Sequence, residues 1–82
     1  MEDKLKYVNN SSYRVKVLKV IGEGAKMPKQ IADASGILPN HVSNVLKQLN
    51  QNDIVECVNP EFRKGRLYRL SDDGLEVLKN LK

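Results

Sequence analysis

Asn40, His41, Ser43, Asn44 and Lys47 lie close together in one short stretch of the chain and offer amide, imidazole, hydroxyl and ammonium groups. Side chains of this kind read base edges: Asn pairs bidentately with adenine, and Lys with guanine, in the major groove of duplex DNA. Further along, Arg63, Lys64 and Arg66 surround Gly65 with no carboxylate among them. That pattern suits phosphate contact or insertion of an Arg into a narrow minor groove. Lys26 and Lys29 sit near an expected helix start, where free N–H groups and the helix dipole also favour phosphate. Each set has a plainer role as well. The first could be a solvated helix face with Asn40 as a cap, the second a hairpin charged against edge-to-edge pairing, and the two lysines ordinary surface charge. Three cations without an interleaved carboxylate exceed what edge protection needs. Pro39 could approach a thymine methyl, although starting a helix accounts for it.

These groups need elements to hold them. Val42, Val45, Leu46 and Leu49 recur at helical spacing and form a buried stripe. They predict a third helix over 39–51, with the candidate base-reading groups opposite the stripe. Upstream, Pro28 suits the first position of a second helix reaching residue 35, because that position has no intrahelical use for an N–H. Ala32 stands where the two helices would cross most closely, and Gly36 can take the positive φ of a sharp turn before Ile37. Ser11 or Ser12 caps a first helix running to about residue 21, stopped by Gly22 and Gly24. Asn52 and Asp53 end the third helix. Residues 54–58 and 66–70 read as the two strands of a hairpin, with 59–65 as its turn and Pro60 in that turn. Alternation puts Tyr68 and Leu70 inward and Arg69 outward. Ser71 caps a last helix over 72–81, with Asp72 and Asp73 early and Lys79 late, as the dipole prefers. Residues 1–10 are polar and expected to fray, with Leu5, Tyr7 and Val8 available to pack on the domain or on a second subunit.

The 82 residues make one domain, 1–82, with a modest core. A formal charge of +4 and a pI near 9.3 point towards a polyanionic partner, and the placement of charge says more than its sum. Cys57 is the only cysteine, so an intramolecular disulfide and a cysteine-based zinc site are both excluded. His41 is the only histidine, without a second metal-ligating residue at useful spacing, so neither a metal nor a cofactor is expected. No catalytic constellation exists, and an enzyme is the least supported class. The start MEDKLKYV lacks the apolar core of a signal peptide, and no run approaches the length of a membrane span. A cytoplasmic, nucleoid-associated protein is the expected setting.

The run Ile31-Ala32, Gly36-Ile37, Asn40-His41-Val42-Ser43, Leu46-Lys47-Gln48-Leu49 and then Lys64 to Gly74 resembles winged-helix transcription regulators of archaea and bacteria. It looks most like small archaeal members of the group that includes the ArsR-like and MarR-like regulators. The resemblance implies an α+β, mostly α, winged helix-turn-helix with a three-helix core, a two-stranded β-hairpin wing and a C-terminal helix. It also implies that the third helix enters the major groove, that the wing touches the backbone or minor groove, and that the protein is a homodimer. Three features depart from the pattern. Met27 replaces the usual capping Thr, which forfeits about 0.5–2 kcal/mol, while Gln30 keeps half of a capping box. Asp53 replaces a Gly after the third helix. The paired cysteines of arsenic-type sensors and the long flanking helices of drug-sensing relatives are absent. The function expected is therefore sequence-specific binding of double-stranded DNA. The alternative is a winged helix of the transcription or replication machinery that docks a protein partner and binds DNA weakly.

Overall fold

The computed structural model describes residues 2–81. Helices α1 (Glu2–Asn9) and α2 (Ser12–Ile21) lead into a short strand β1 (Ala25–Lys26). Helices α3 (Pro28–Ser35) and α4 (Pro39–Gln51), strands β2 (Val55–Cys57) and β3 (Tyr68–Leu70), and helix α5 (Asp72–Asn80) follow. Local chemistry explains most of these boundaries. The Ser11 side chain accepts from the Arg14 N–H at 3.3 Å and starts α2. Pro28 and Pro39 open α3 and α4 at positions where a missing N–H costs nothing. The Met27 N–H donates to Gln30 Oε1 at 2.8 Å, so the half capping box forms without a Thr. Gly36 ends α3 at φ 75°, in the left-handed region, and its added Cβ would meet nothing within 4 Å. Its requirement is therefore conformational rather than steric.

The core is a single apolar cluster. Val17, Leu18 and Ile21 of α2 meet Ile31 and Ala32 of α3, Val42, Val45, Leu46 and Leu49 of α4, and Val77 of α5, with Ile54, Val55 and Leu70 closing it from the sheet. The stripe expected on the third helix is buried as a whole.

Two regions differ from the sequence expectation. Residues 2–9, expected to be irregular, form α1, with Val8 fully buried and Leu5 and Tyr7 packed against the core. What holds this polar helix is remote in sequence. Arg14 donates through Nη1 to the Tyr7 carbonyl at 2.7 Å, lays its guanidinium 3.7 Å from the centre of the Tyr7 ring, and donates through Nε to Gln48 Oε1 at 3.3 Å. Lys4 pairs with Asp73 and so ties α1 to α5. The second difference is β1, which makes the hairpin a three-stranded antiparallel sheet of order β1-β3-β2. Ala25 opposes Arg69 and Lys26 opposes Tyr68.

The wing is anchored at Ile54. Its N–H donates to the Leu49 carbonyl at 2.9 Å, and its own carbonyl accepts from the Ser71 N–H at 2.9 Å. Ser71 also caps α5 by accepting from the Gly74 N–H at 3.0 Å. A Cβ on Gly74 would lie 2.1 Å from the Ile54 carbonyl oxygen. That backbone-to-backbone approach leaves room for hydrogen alone.

Gly74→Ala should therefore destabilise the fold by roughly 1–3 kcal/mol, as overpacking does, and thermal unfolding against the parent chain measures it. The Lys4 partnership holds the Asp73 carboxyl below its usual pKa of 3.8, through its hydrogen bond first and its charge second. A depressed folded pKa contributes stability above the unfolded value and loses it as pH falls through the folded one. Asp73→Asn should accordingly flatten the stability profile below about pH 4 and leave the slope above pH 5 unchanged, as read from denaturant midpoints across an acid series.

Candidate nucleic-acid interface

Helix α4 carries the candidate base-reading groups on the side away from its buried stripe. Asn40, Ser43, Asn44 and Lys47 are exposed, and His41 is half-buried. The His41 ring lies against Tyr13 of α2, with centroids 5.5 Å apart and planes at 53°. His41 is thus steadied by an aromatic neighbour, whereas the other four project freely. Lys47 is the one cation of α4. A shallow open groove runs beside it between α4 and β3, lined by Ser43, Leu46, Lys47, Asn50, Gln51 and Tyr68. Asn50, Gln51 and Tyr68 escaped the sequence reading. The first two lie in the last turn of the helix, and the tyrosine appears from alternation alone to be a core residue.

The wing tip is a built structure. Asn59 donates through Nδ2 to the Gly65 carbonyl at 3.1 Å and accepts the Leu67 N–H on Oδ1 at 2.8 Å. Arg66 folds back over the same loop, with Nε 2.5 Å from the Phe62 carbonyl oxygen and Nη2 3.2 Å from that of Pro60. The Val58 N–H reaches the Leu67 carbonyl at 2.8 Å and closes the base. The three cations are therefore not equivalent. Arg63 and Lys64 are exposed and make no hydrogen bond or ion pair with another described residue, while the Arg66 fork is already engaged with two carbonyls. Those partners are neutral carbonyls, so Arg66 keeps its charge at the tip, in a loop that also holds the exposed Glu61. Phe62, 52% exposed, stands next to the two free cations.

Lys26 and Lys29 are held differently from each other. Lys29 is exposed in the first turn of α3, as expected. Lys26 belongs to β1 and is fixed opposite Tyr68, so its position follows the wing strand rather than the helix start. Arg69 faces outward and bonds Glu56 directly across the ladder at 2.7 Å. Asp53, Asp72 and Asp73 line the same cleft as that pair. Alternation along β3 turns Arg69 to one face of the sheet and Tyr68, with the groove beside α4, to the other. The acidic groups are thus kept off the face that carries the candidate site. Cys57 is half-buried near Asn59, with Sγ 3.7 Å from Oδ1. No group of three or more metal-ligating side chains occurs among the described residues, and none of their helices is long and apolar enough to cross a membrane.

A helix-turn-helix followed by a hairpin and a closing helix defines a winged helix-turn-helix domain. Solved structures with this fold are similar to most of the chain. BpsR of Bordetella bronchiseptica, whose DNA binding is regulated by 6-hydroxynicotinic acid, superposes with a TM-score of 0.78 at 21% identity, covering 85% of this chain and 55% of that one. A mutant of ZitR from Lactococcus lactis gives 0.75 at 21% identity, over 85% of this chain and 49% of that one. The homodimeric winged helix-turn-helix DNA-binding domain of Mb0332 from Mycobacterium bovis, a possible ArsR-family transcriptional regulator, gives 0.69 at 21% identity. There the match covers 89% of this chain and 66% of that one. The chain therefore spans from about half to just under two thirds of the length of these structures. No protein-family model and no curated protein matches it.

Arg66→Lys keeps the charge of the tip but removes the planar fork that reaches two carbonyls. Amide exchange at Phe62, whose N–H donates to the Asn59 carbonyl at 3.0 Å, should speed up in this variant while the α4 amides keep their protection. Unchanged exchange at the tip would show that Asn59 alone braces the loop.

Proposed function

We propose that this chain is a sequence-specific double-stranded DNA-binding transcription regulator that acts as a homodimer. The observation that carries the reading is the pairing of an exposed polar face on α4, with Lys47 as its one cation, and a braced basic wing tip, while the acidic cluster occupies the other face of the sheet. Arg63 and Lys64 bind phosphates and set the register, with Arg66 adding field from its braced position. Ser43, Asn44 and Lys47 read base edges, Asn40 and His41 flank them, and Lys26 and Lys29 touch the backbone more weakly. A homodimer suits a two-fold symmetric site with half-sites about one helical turn apart. The homodimeric state of the Mb0332 domain supports that assembly. The cytoplasmic nucleoid is the setting that fits this activity.

A second reading has one observation behind it, the single cation of α4. In that reading α4 docks a protein of the transcription or replication machinery. Selection from a random duplex pool, followed by anisotropy across a salt series, separates the two. The DNA reading expects enrichment of one two-fold symmetric sequence. It also expects the log–log salt slope to fall by about 2 in the Arg63→Ala/Lys64→Ala double variant, since each neutralised phosphate adds about 0.9 to the slope. Asn44→Ala should instead lose discrimination, by about 1–3 kcal/mol, at one base pair per half-site. Weak binding without enrichment, indifferent to all three substitutions, would favour the protein partner.

A further inference from the structure

The leading end of α4 carries apolar surface that the fold itself does not use. Leu38 occupies the N-cap position, where Ser, Thr, Asp or Asn would accept a helix N–H, and it makes no such bond. Nor is it buried: Leu38 is 62% exposed, the most exposed of the large apolar side chains described. It therefore contributes neither a cap nor a core contact. Its carbonyl opens the helix by accepting from the Val42 N–H at 3.0 Å, which fixes the backbone from which the side chain projects. Exposed Pro39 follows it. Three residues on, His41 leans on Tyr13, itself 40% exposed.

Leu38 and Pro39 directly precede Asn40 at the leading end of the element that also carries Ser43 and Asn44, and the inference built on them rests on the DNA reading above. A recognition helix contacts base edges with its N-terminal residues, and the one apolar feature a base pair displays in the major groove is the C5-methyl group of thymine. Charged and amide side chains cannot gain from that methyl, but a preplaced leucine can. We propose that Leu38, backed by Pro39, reads thymine methyl groups within each half-site, adding a specificity determinant to the polar readers of α4. The fixed helix start makes the contact selective because the side chain is presented from an ordered backbone.

Deoxyuracil tests this directly, since it differs from thymine by that methyl alone. The duplex that the protein selects from a thymine-containing random pool is resynthesised with deoxyuracil at all thymines, then at single positions, and anisotropy gives the affinity ratio. The expected result is a loss of about fourfold per methyl buried, the ratio that corresponds to one buried carbon, at one or two positions per half-site. Leu38→Ser should bring the thymine-to-deoxyuracil ratio at those positions close to one. It also supplies the missing cap, so its melting temperature should hold or rise and a folding defect cannot account for the change. Equal binding of both duplexes by the parent chain, or an unchanged ratio in Leu38→Ser, overturns the inference and leaves the DNA reading standing. An altered oligomeric state in Leu38→Ser with the ratio intact overturns it in favour of a subunit contact. Failure to select or bind any duplex overturns the reading and the inference together.

Discussion

The Ile54 carbonyl is the point on which the arrangement of helix and wing depends. It lies three residues beyond the end of α4, accepts the Ser71 N–H, and sits so near Gly74 that no side chain can intervene. One residue thereby links the end of the helix, through its N–H, to the returning strand and the seat of α5, through its carbonyl. The Ser71 hydroxyl reinforces the junction at 2.6 Å from the Asp53 carbonyl oxygen. Asp53 reaches it at φ 59°, a conformation that Asp tolerates better than most residues with a Cβ. Because buried backbone groups must be paired, this junction leaves little freedom in the angle between α4 and the wing. A groove-reading helix and a phosphate-contacting tip can serve one duplex only if that angle is held.

Charge follows the same economy. Three carboxylates and the Arg69–Glu56 pair occupy one face of the sheet, so the net charge of +4 understates the positive field of the wing tip. Long-range attraction to a polyanion depends on where the charges lie, and separation of the two signs gives the molecule a side. Surface ion pairs contribute little to stability, so the value of Arg69–Glu56 lies more in neutralising the far face than in holding the strands.

The sequence was most legible where the signal is local or periodic. The α4 stripe recurs at helical spacing, Ser11 and Ser71 cap their helices by short-range bonds, and Gly36 marks a turn that needs a positive φ. Gly74 was legible as part of a motif, but its reason was not, because the group that excludes a Cβ comes from another segment of the chain. The α1 helix was hidden for the same cause. Its sequence is polar, and its support comes from Arg14, Gln48 and Asp73, none of which a local reading connects to it. Strand β1 has two residues, too few for any period to register. At the wing, composition counted three cations and could not tell that Arg66 is committed to carbonyls of its own loop. A guanidinium serves a phosphate or a carbonyl equally well, and only the path of the chain decides which one is near.

The central claim is that α4 and the wing tip engage one duplex together. Backbone amide chemical shifts of the full chain, followed while its selected duplex is added, test it most directly. The account predicts simultaneous perturbation at Asn40 to Lys47 and at Arg63 and Lys64, with Glu56 and Asp72 left unmoved. Perturbation confined to the acidic face, or to one of the two elements with the other silent, would contradict it.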